Sequence, residues 1–253
     1  MKKKLNRKEA SKQSSAETAY KKGMDLYFNI GDTSLALKYL MQSAKVGYTK
    51  AYGEIGIILH REINDPDEAE EWFTKAERSN SLFPAARYEY GMLHYLSKDD
   101  WETGLKYLLE SAIQGYEMAY GDIGSIVYTY KENIDEAEAW FRKAEQSDCL
   151  LAPNAHDYGV LLWLDRNNWE AGFKYLQKAA EEEFEPAYGQ LGTMFYLEKL
   201  DIDEAERWFE KAEKAGCLDA PQAHDYGMLL IEERGDIERG KKYLKMAEEN
   251  GYY

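Results

Sequence analysis

Few side chains in this sequence could do chemistry, and their spacing argues against a reactive site. The histidines are His60, His94, His156 and His224, and the cysteines are Cys149 and Cys217. His156 and His224 are each followed by an aspartate, Asp157 and Asp225. A His-Asp pair is half of a metal-dependent phosphohydrolase signature, but the further ligands needed at helical spacing are missing. The two cysteines lie 68 residues apart, as do His156 and His224. If these are equivalent positions in stacked helical repeats, with helices ~8–10 Å apart, each pair is separated by about 20 Å. That is too far for shared metal coordination or for a disulfide. Arg234-Gly235-Asp236 matches an integrin tripeptide and reads as a turn leading into a helix N-cap. There is no GxxxxGK[ST] phosphate loop, G-x-S-x-G elbow or H-E-x-x-H helix. Neither a catalytic site, a metal site nor a cofactor is expected.

The elements around these residues carry the stronger signal. The 253 residues are 44% apolar and 31% charged, with a formal net charge of −15 and only five prolines. This is the profile of a folded chain with much surface, and it permits many helices. No run of 18 or more apolar residues occurs, and the basic start is not followed by an apolar signal core, so a cytoplasmic protein is expected. Residues 1–15 hold six Lys or Arg against one Glu, and this segment reads as a disordered basic tail ahead of a folded body over 16–253. That body is strongly acidic. It repels nucleic-acid phosphates and anionic membranes and suits a basic partner, although acidic helix surfaces also serve solubility.

The body is repetitive. DEAEEWFTKAE at 67–77 returns as DEAEAWFRKAE at 135–145 and DEAERWFEKAE at 203–213, with an offset of 68 each time. AYGEIG at 51–56 returns as AYGDIG at 119–124 and AYGQLG at 187–192. The 68-residue block is itself a pair: Gly23, Gly56, Gly91, Gly124, Gly159, Gly192 and Gly227 alternate in steps of 33 and 35. Each step holds two short amphipathic segments. Ala69, Trp72, Phe73 and Ala76 fall at i, i+3, i+4 and i+7, one face of a helix.

Helix starts recur too. Asp65, Asn133 and Asp201 precede Glu68, Glu136 and Glu204 by three residues, a capping-box spacing with Asx as cap. Pro66 fits a first helical position. Asp32, Asp100, Asn168 and Asp236 are the caps expected in the alternate hairpins, and this first-turn acid complements the helix dipole. Gly104, Gly172 and Gly240, with Ala36 as their counterpart, fall inside second helices. Glycine there costs about 0.5–1 kcal/mol against alanine, which suggests a close helix–helix contact. About fourteen helices of ~12–15 residues result, each hairpin burying its apolar stripe on the next. The last helix, at 236–250, carries Lys241, Lys242, Lys245, Glu248 and Glu249, the polar load of a terminal repeat.

Ala187, Leu191-Gly192, Glu204-Ala205, Trp208-Phe209, Lys211-Ala212 and Gly216, with SAIQGYEMAYGDIG at 111–124, resemble the Sel1-like repeat, a relative of the tetratricopeptide repeat. The resemblance covers residues 16–253. The steps of 33 and 35 are nearer the tetratricopeptide length, and the family's tyrosine three residues after the glycine is replaced by Leu26, Leu59, Val127, Leu162 and Leu230. The RNA-reading pentatricopeptide family has a similar period, against which the acidic charge argues. The resemblance implies an all-α, right-handed α-solenoid of about seven helix–turn–helix repeats. It further implies a concave groove lined by first helices, no enzymatic activity, and a protein or peptide as partner.

Two rows are candidates for that groove. Four residues after each repeat glycine stand Tyr27, His60, Tyr95, Tyr128, Trp163, Tyr196 and Ile231, here called the ring row. Aligned rings offer contact area at low rotamer cost. The alternative is that they pack on the next first helix as core. Three residues before each glycine stand Tyr20, Gly53, Tyr88, Gly121, His156, Gly189 and His224, the alternating row. Its glycines suggest notches between larger side chains, or else a site of close packing. The leading expectation is a protein-binding module. Two others remain: an immunity protein masking a basic toxin surface, and a regulator binding a small ligand in a closed pocket between repeats.

Overall fold

The computed structural model describes the backbone of residues 2–198 and 201–252, and the side chains of residues 12–198 and 201–252. Fourteen α-helices and no strand occur among the described residues. They are α1 (Lys2–Asp25), α2 (Thr33–Lys45), α3 (Lys50–Ile58), α4 (Pro66–Arg78), α5 (Pro84–Met92), α6 (Trp101–Ile113) and α7 (Ala119–Lys131). There follow α8 (Ile134–Gln146), α9 (Ala152–Val160), α10 (Trp169–Glu181), α11 (Pro186–Leu197), α12 (Ile202–Ala215), α13 (Ala220–Glu232) and α14 (Ile237–Glu249). Four first helices widen into π-turns at Leu26–Ile30, Leu59–Ile63, Leu93–Ser97 and Leu161–Asp165. Backbone contacts gather into two compact units, Met1–Ala119 and Tyr120–Tyr253. The basic segment at the start is helical from Lys2 and belongs to α1, where the sequence suggested a disordered tail. The side chains of its residues 1–11 lie outside the described ones.

One residue both ends a first helix and starts the second. The N–H groups of Asp32, Asp65, Asn168 and Asp236 reach back six residues to the carbonyls of Leu26, Leu59, Leu162 and Leu230. This closes each first helix in a Schellman-like turn. The residue before takes the left-handed conformation, as at Asn64 (φ 58°) and Gly235 (φ 68°), a region that asparagine and glycine tolerate. The same Asp and Asn side chains then accept the backbone N–H three residues on, as do those of Asp100, Asn133 and Asp201. Every cap read from the sequence is made. In place of a return bond to the cap backbone, Glu68 accepts from the Trp72 indole and Glu136 from the Asn133 amide. The reciprocal box occurs at Asp219 and Gln222, a start the sequence reading passed over.

Two kinds of hairpin alternate. In one, the repeat glycine lies under a phenylalanine of the second helix. A Cβ on Gly56, Gly124 or Gly192 would fall 2.6–2.7 Å from the ring of Phe73, Phe141 or Phe209. In the other, two glycines meet backbone to backbone: Gly91 with Gly104, Gly159 with Gly172, Gly227 with Gly240. The junction between the two kinds repeats as an aromatic trio. Phe73–Tyr90–Tyr107 and Phe209–Tyr226–Tyr243 have successive centroid distances of 5.2 and 4.5 Å, and of 5.1 and 4.5 Å. Phe141–Tyr158–Tyr175 has 5.2 and 4.5 Å. All three phenylalanines are fully buried.

The outer tyrosine of each trio ends on a glutamate of the preceding second helix: Tyr107 on Glu77, Tyr175 on Glu145, Tyr243 on Glu213. A cation in the next hairpin turn adds a clamp. Lys98 pairs with Asp67 and Glu70, Arg166 with Asp135 and Glu138, Arg234 with Asp203 and Glu206. Arg234 of the Arg-Gly-Asp sequence is thereby engaged, and Asp236 caps α14, as the turn reading expected. These ion pairs are partly exposed and are each worth about 0–1 kcal/mol, so the buried rings dominate.

Candidate binding face

The ring row runs along the C-terminal halves of the first helices, where the tips of Tyr27, His60, Tyr128, Trp163 and Tyr196 each find a carboxylate one hairpin further on. In the first unit, the Tyr27 hydroxyl donates to Glu62 at 2.9 Å. Burial and then that bond push the Tyr27 phenol up to about 12. In the second unit, Tyr128 donates to Asp165 at 2.8 Å, the Trp163 indole to Glu198 at 2.8 Å, and Tyr196 to Glu232 at 3.1 Å. Burial first, then Glu232, raises the Tyr196 phenol to about 12. The bases of Tyr95, Trp163 and Ile231 lie over Gly104, Gly172 and Gly240. Trp163 is only 5% exposed, and the other rings of the row are half-buried. These side chains therefore strut neighbouring first helices together. Their half-buried edges, not their polar tips, are what a partner could touch.

The alternating row packs against aromatics that recur in the loops between hairpins. Tyr20 meets Tyr48 with centroids 5.1 Å apart, Tyr88 meets Tyr116 at 5.1 Å, His156 meets Phe184 at 5.4 Å and His224 meets Tyr252 at 5.3 Å. Its glycines are not notches open to a ligand. Phe83 and Ala86 fill the space at Gly53, Asn154 that at Gly121, and Gln222 that at Gly189. Small residues are needed there because the next first helix approaches closely.

One register away stands an acidic row that sequence reasoning missed: Glu54, Glu89, Asp122, Asp157 and Asp225, each two residues before a repeat glycine. The 33/35 spacing that exposed the other rows carries this one as well. In the first unit these acids are answered by cations or hydroxyls. Tyr20 donates to Glu54 at 3.2 Å. Glu89, 3% exposed, receives His60 Nδ1 at 3.0 Å and the Arg61 guanidinium. Burial pushes the Glu89 carboxyl up, but the bonds from His60 and Arg61 outweigh it and hold the group below the usual carboxylate range.

In the second unit the recorded partners of these acids include an amide and two imidazoles. Asn154 donates to Asp122 at 3.1 Å, His156 Nδ1 lies 2.9 Å from Asp157, and His224 Nδ1 lies 3.4 Å from Asp225. Burial raises the Asp225 carboxyl, opposed by His224. Helices α9, α11 and α13 and the turn Leu161–Asp165 contain no lysine or arginine. Among the described residues, no Lys or Arg ion pair reaches Asp157, Asp165, Glu198, Asp225 or Glu232. The arginines of this unit, such as Arg142, Arg166 and Arg234, are on second helices or hairpin turns and pair with acids there.

No group of three His, Cys, Asp or Glu side chains arranged to hold a metal occurs among the described residues, and Cys149 and Cys217 are not in disulfides. A cleft of about 520 Å³ opens beside Tyr20, Lys50, Glu54 and Phe83 in the first unit; it is open to solvent rather than closed. No helix of the described residues is long and apolar enough to cross a membrane.

No family model matches the sequence, and no curated protein matches it. Solved structures do match in fold. A Sel1 repeat protein from Oxalobacter formigenes is 20% identical with a TM-score of 0.60, over 91% of this chain and 99% of that one. YrrB, a tetratricopeptide repeat protein described as having an unusual peptide-binding site, is 22% identical with a TM-score of 0.54, over 71% and 92%. The Cut9–Hcn1 hetero-tetramer of the APC/C is 13% identical with a TM-score of 0.65, over 94% of this chain and half (50%) of that one. The chain has the α-solenoid fold of Sel1-like and tetratricopeptide-like repeat proteins.

Proposed function

We propose that this chain is a non-catalytic, cytoplasmic binding module that holds a basic protein or peptide segment against the first helices of residues 120–253. The observation that carries this reading is the segregation of charge in that unit. Of its first helices, α9, α11 and α13 bear Asp157, Asp225 and Glu232 without a single lysine or arginine, and Lys131, which ends α7, pairs with Glu136 of a second helix. Carboxylates held by rings and imidazoles keep their negative charge available to a partner, and such a field steers a cationic segment toward the face. The half-buried edges of Tyr128 and Tyr196 add aromatic contact area beside them. The fold supports the same reading, since YrrB has a peptide-binding site and Cut9 assembles with Hcn1. An immunity protein masking a basic toxin would use this face too, and the identity of the retained protein distinguishes that case.

The test is capture from native lysate by the whole chain and by an Asp157→Asn/Asp225→Asn variant, read by mass spectrometry at low and raised salt. The reading expects basic proteins that the variant and the salt release. Retention of nothing above the bare matrix, or equal retention by the variant, overturns it.

A further inference from the structure

Several large exposed apolar side chains share one edge, while others, such as Ile113, Val46 and Leu151, lie elsewhere. In the second unit, Tyr130, Leu164 and Leu197 are 41%, 58% and 54% exposed, and all three stand in the last turn of a first helix or its π-turn. Ile237, 55% exposed, opens α14 on the far side of the next hairpin turn, and Trp169, half-buried, opens α10 in the same way. The first unit repeats the pattern at Phe28, 70% exposed, and Leu96, 65% exposed. Leu96 and Leu164 directly follow Tyr95 and Trp163, whose bases already fill the contact with the second helix at Gly104 and Gly172, and Phe28 and Leu197 hold the same place after Tyr27 and Tyr196. The equivalent positions Arg61, Thr129 and Glu232 are polar, so folding does not require an apolar side chain at this helix end. Repeated exposed apolar residues on one edge mark an interaction surface.

We propose that the hairpin-turn edge of residues 120–253 docks a cationic amphipathic α-helix. The edge alternates the exposed Leu164 and Leu197 with the carboxylates of Asp165, Glu198 and Glu232, which no described lysine or arginine neutralises. Arg166 and Arg234, the cations nearest Asp165 and Glu232 in sequence, are turned to Asp135 and Glu138 and to Asp203 and Glu206, while Lys199, next to Glu198, lies outside the described residues. Charge complementarity therefore selects a basic partner, and the leucines select one with an apolar stripe. Spacing selects its form. Adjacent first helices in contact stand ~8–10 Å apart, and an α-helix rises about 10.5 Å in seven residues. A partner helix with an apolar residue every heptad meets one leucine per hairpin while its lysines and arginines meet the acids between. This inference rests on the binding-module reading and narrows it to one edge and one class of partner.

The probe is a fluorescein-labelled peptide of three heptads built of leucine and lysine, with leucines on one helical stripe, and a scrambled peptide of the same composition as control. Fluorescence polarisation measures both against the whole chain, the Leu164→Ser/Leu197→Ser variant and Leu151→Ser, an exposed leucine outside this edge. Circular dichroism confirms that each variant keeps its helicity. We expect the striped peptide to bind, the double variant to weaken it at least about tenfold, and Leu151→Ser to leave it unchanged. Equal binding of the scrambled peptide, an unaffected double variant, or a wild-type dimer in sedimentation that the double variant dissolves would each overturn the proposal, the last by assigning the edge to a second copy. Failure here with charge-dependent capture of basic proteins intact removes this inference and leaves the binding-module reading standing.

Discussion

Gly91 and Gly104 meet across the hairpin of α5 and α6 so closely that a Cβ on either would lie 3.0 Å from the other's carbonyl oxygen. The contact recurs at Gly159 with Gly172 and at Gly227 with Gly240. It reverses the ordinary effect of helical glycine. Alanine usually stabilises an exposed helix interior by about 0.5–1 kcal/mol. At Gly172 an added Cβ would come to 2.8 Å from both the Gly159 carbonyl and the Trp163 Cβ. Gly172→Ala is therefore expected to destabilise by about 1–3 kcal/mol, measured by urea denaturation with an unchanged m-value.

The aromatic trios predict a second, larger effect. Phe141 is fully buried against Gly124 and Tyr158, so Phe141→Ala is expected to cost about 3–5 kcal/mol. Tyr175→Phe removes only the hydroxyl bonded to Glu145 and is expected to cost about 1 kcal/mol. Thermal melts of the two variants should rank in that order; a reversed ranking would mean that the trio is not what joins the hairpins.

Acid should weaken the Glu145 contact with a definite sign. The bond from Tyr175, then Lys174, holds the Glu145 carboxyl below the usual glutamate range. Its contribution is present above the unfolded-state value and is lost as pH falls through the folded one. The stability gap between wild type and Tyr175→Phe is expected to be constant from pH 6 to 8, in the range where such a carboxylate is ionised in both states, and to close on acidification. Chemical denaturation across a pH series measures it.

Glu89 makes the same kind of prediction at a buried site. With only 3% exposure and Arg61 and His60 as partners, it becomes a poorly compensated buried charge in Arg61→Ala. A loss of about 3 kcal/mol near neutral pH is expected. Glu89→Gln with Arg61→Ala should recover part of it, which a double-mutant cycle would show.

Much of the architecture was legible in sequence because it is periodic. The repeat glycines, the Asx caps and the Ala69–Trp72–Phe73–Ala76 stripe each state a local rule many times over. The binding rows were less legible. A ring at helical spacing looks the same whether it faces a partner or the next helix, and only Trp163 with its 5% exposure and its bond to Glu198 tells the two apart. Joint replacement of Trp163 and Tyr128 by alanine is therefore expected to destabilise the fold, by about 3–5 kcal/mol for the Trp alone. The glycines at Gly53, Gly121 and Gly189 misled for a related reason: a gap in side-chain size does not say which neighbour fills it. The acidic row was hidden by the overall charge, against which a few further carboxylates attract no notice.

The claim on which the account rests is that partners meet the first helices of residues 120–253. Hydrogen exchange of the whole chain, alone and with the protein it retains from lysate, tests this most directly. The account predicts added protection in α9, α11 and α13, with α10, α12 and α14 unchanged. Protection confined to α10, α12 and α14, or to residues 1–119, would contradict it.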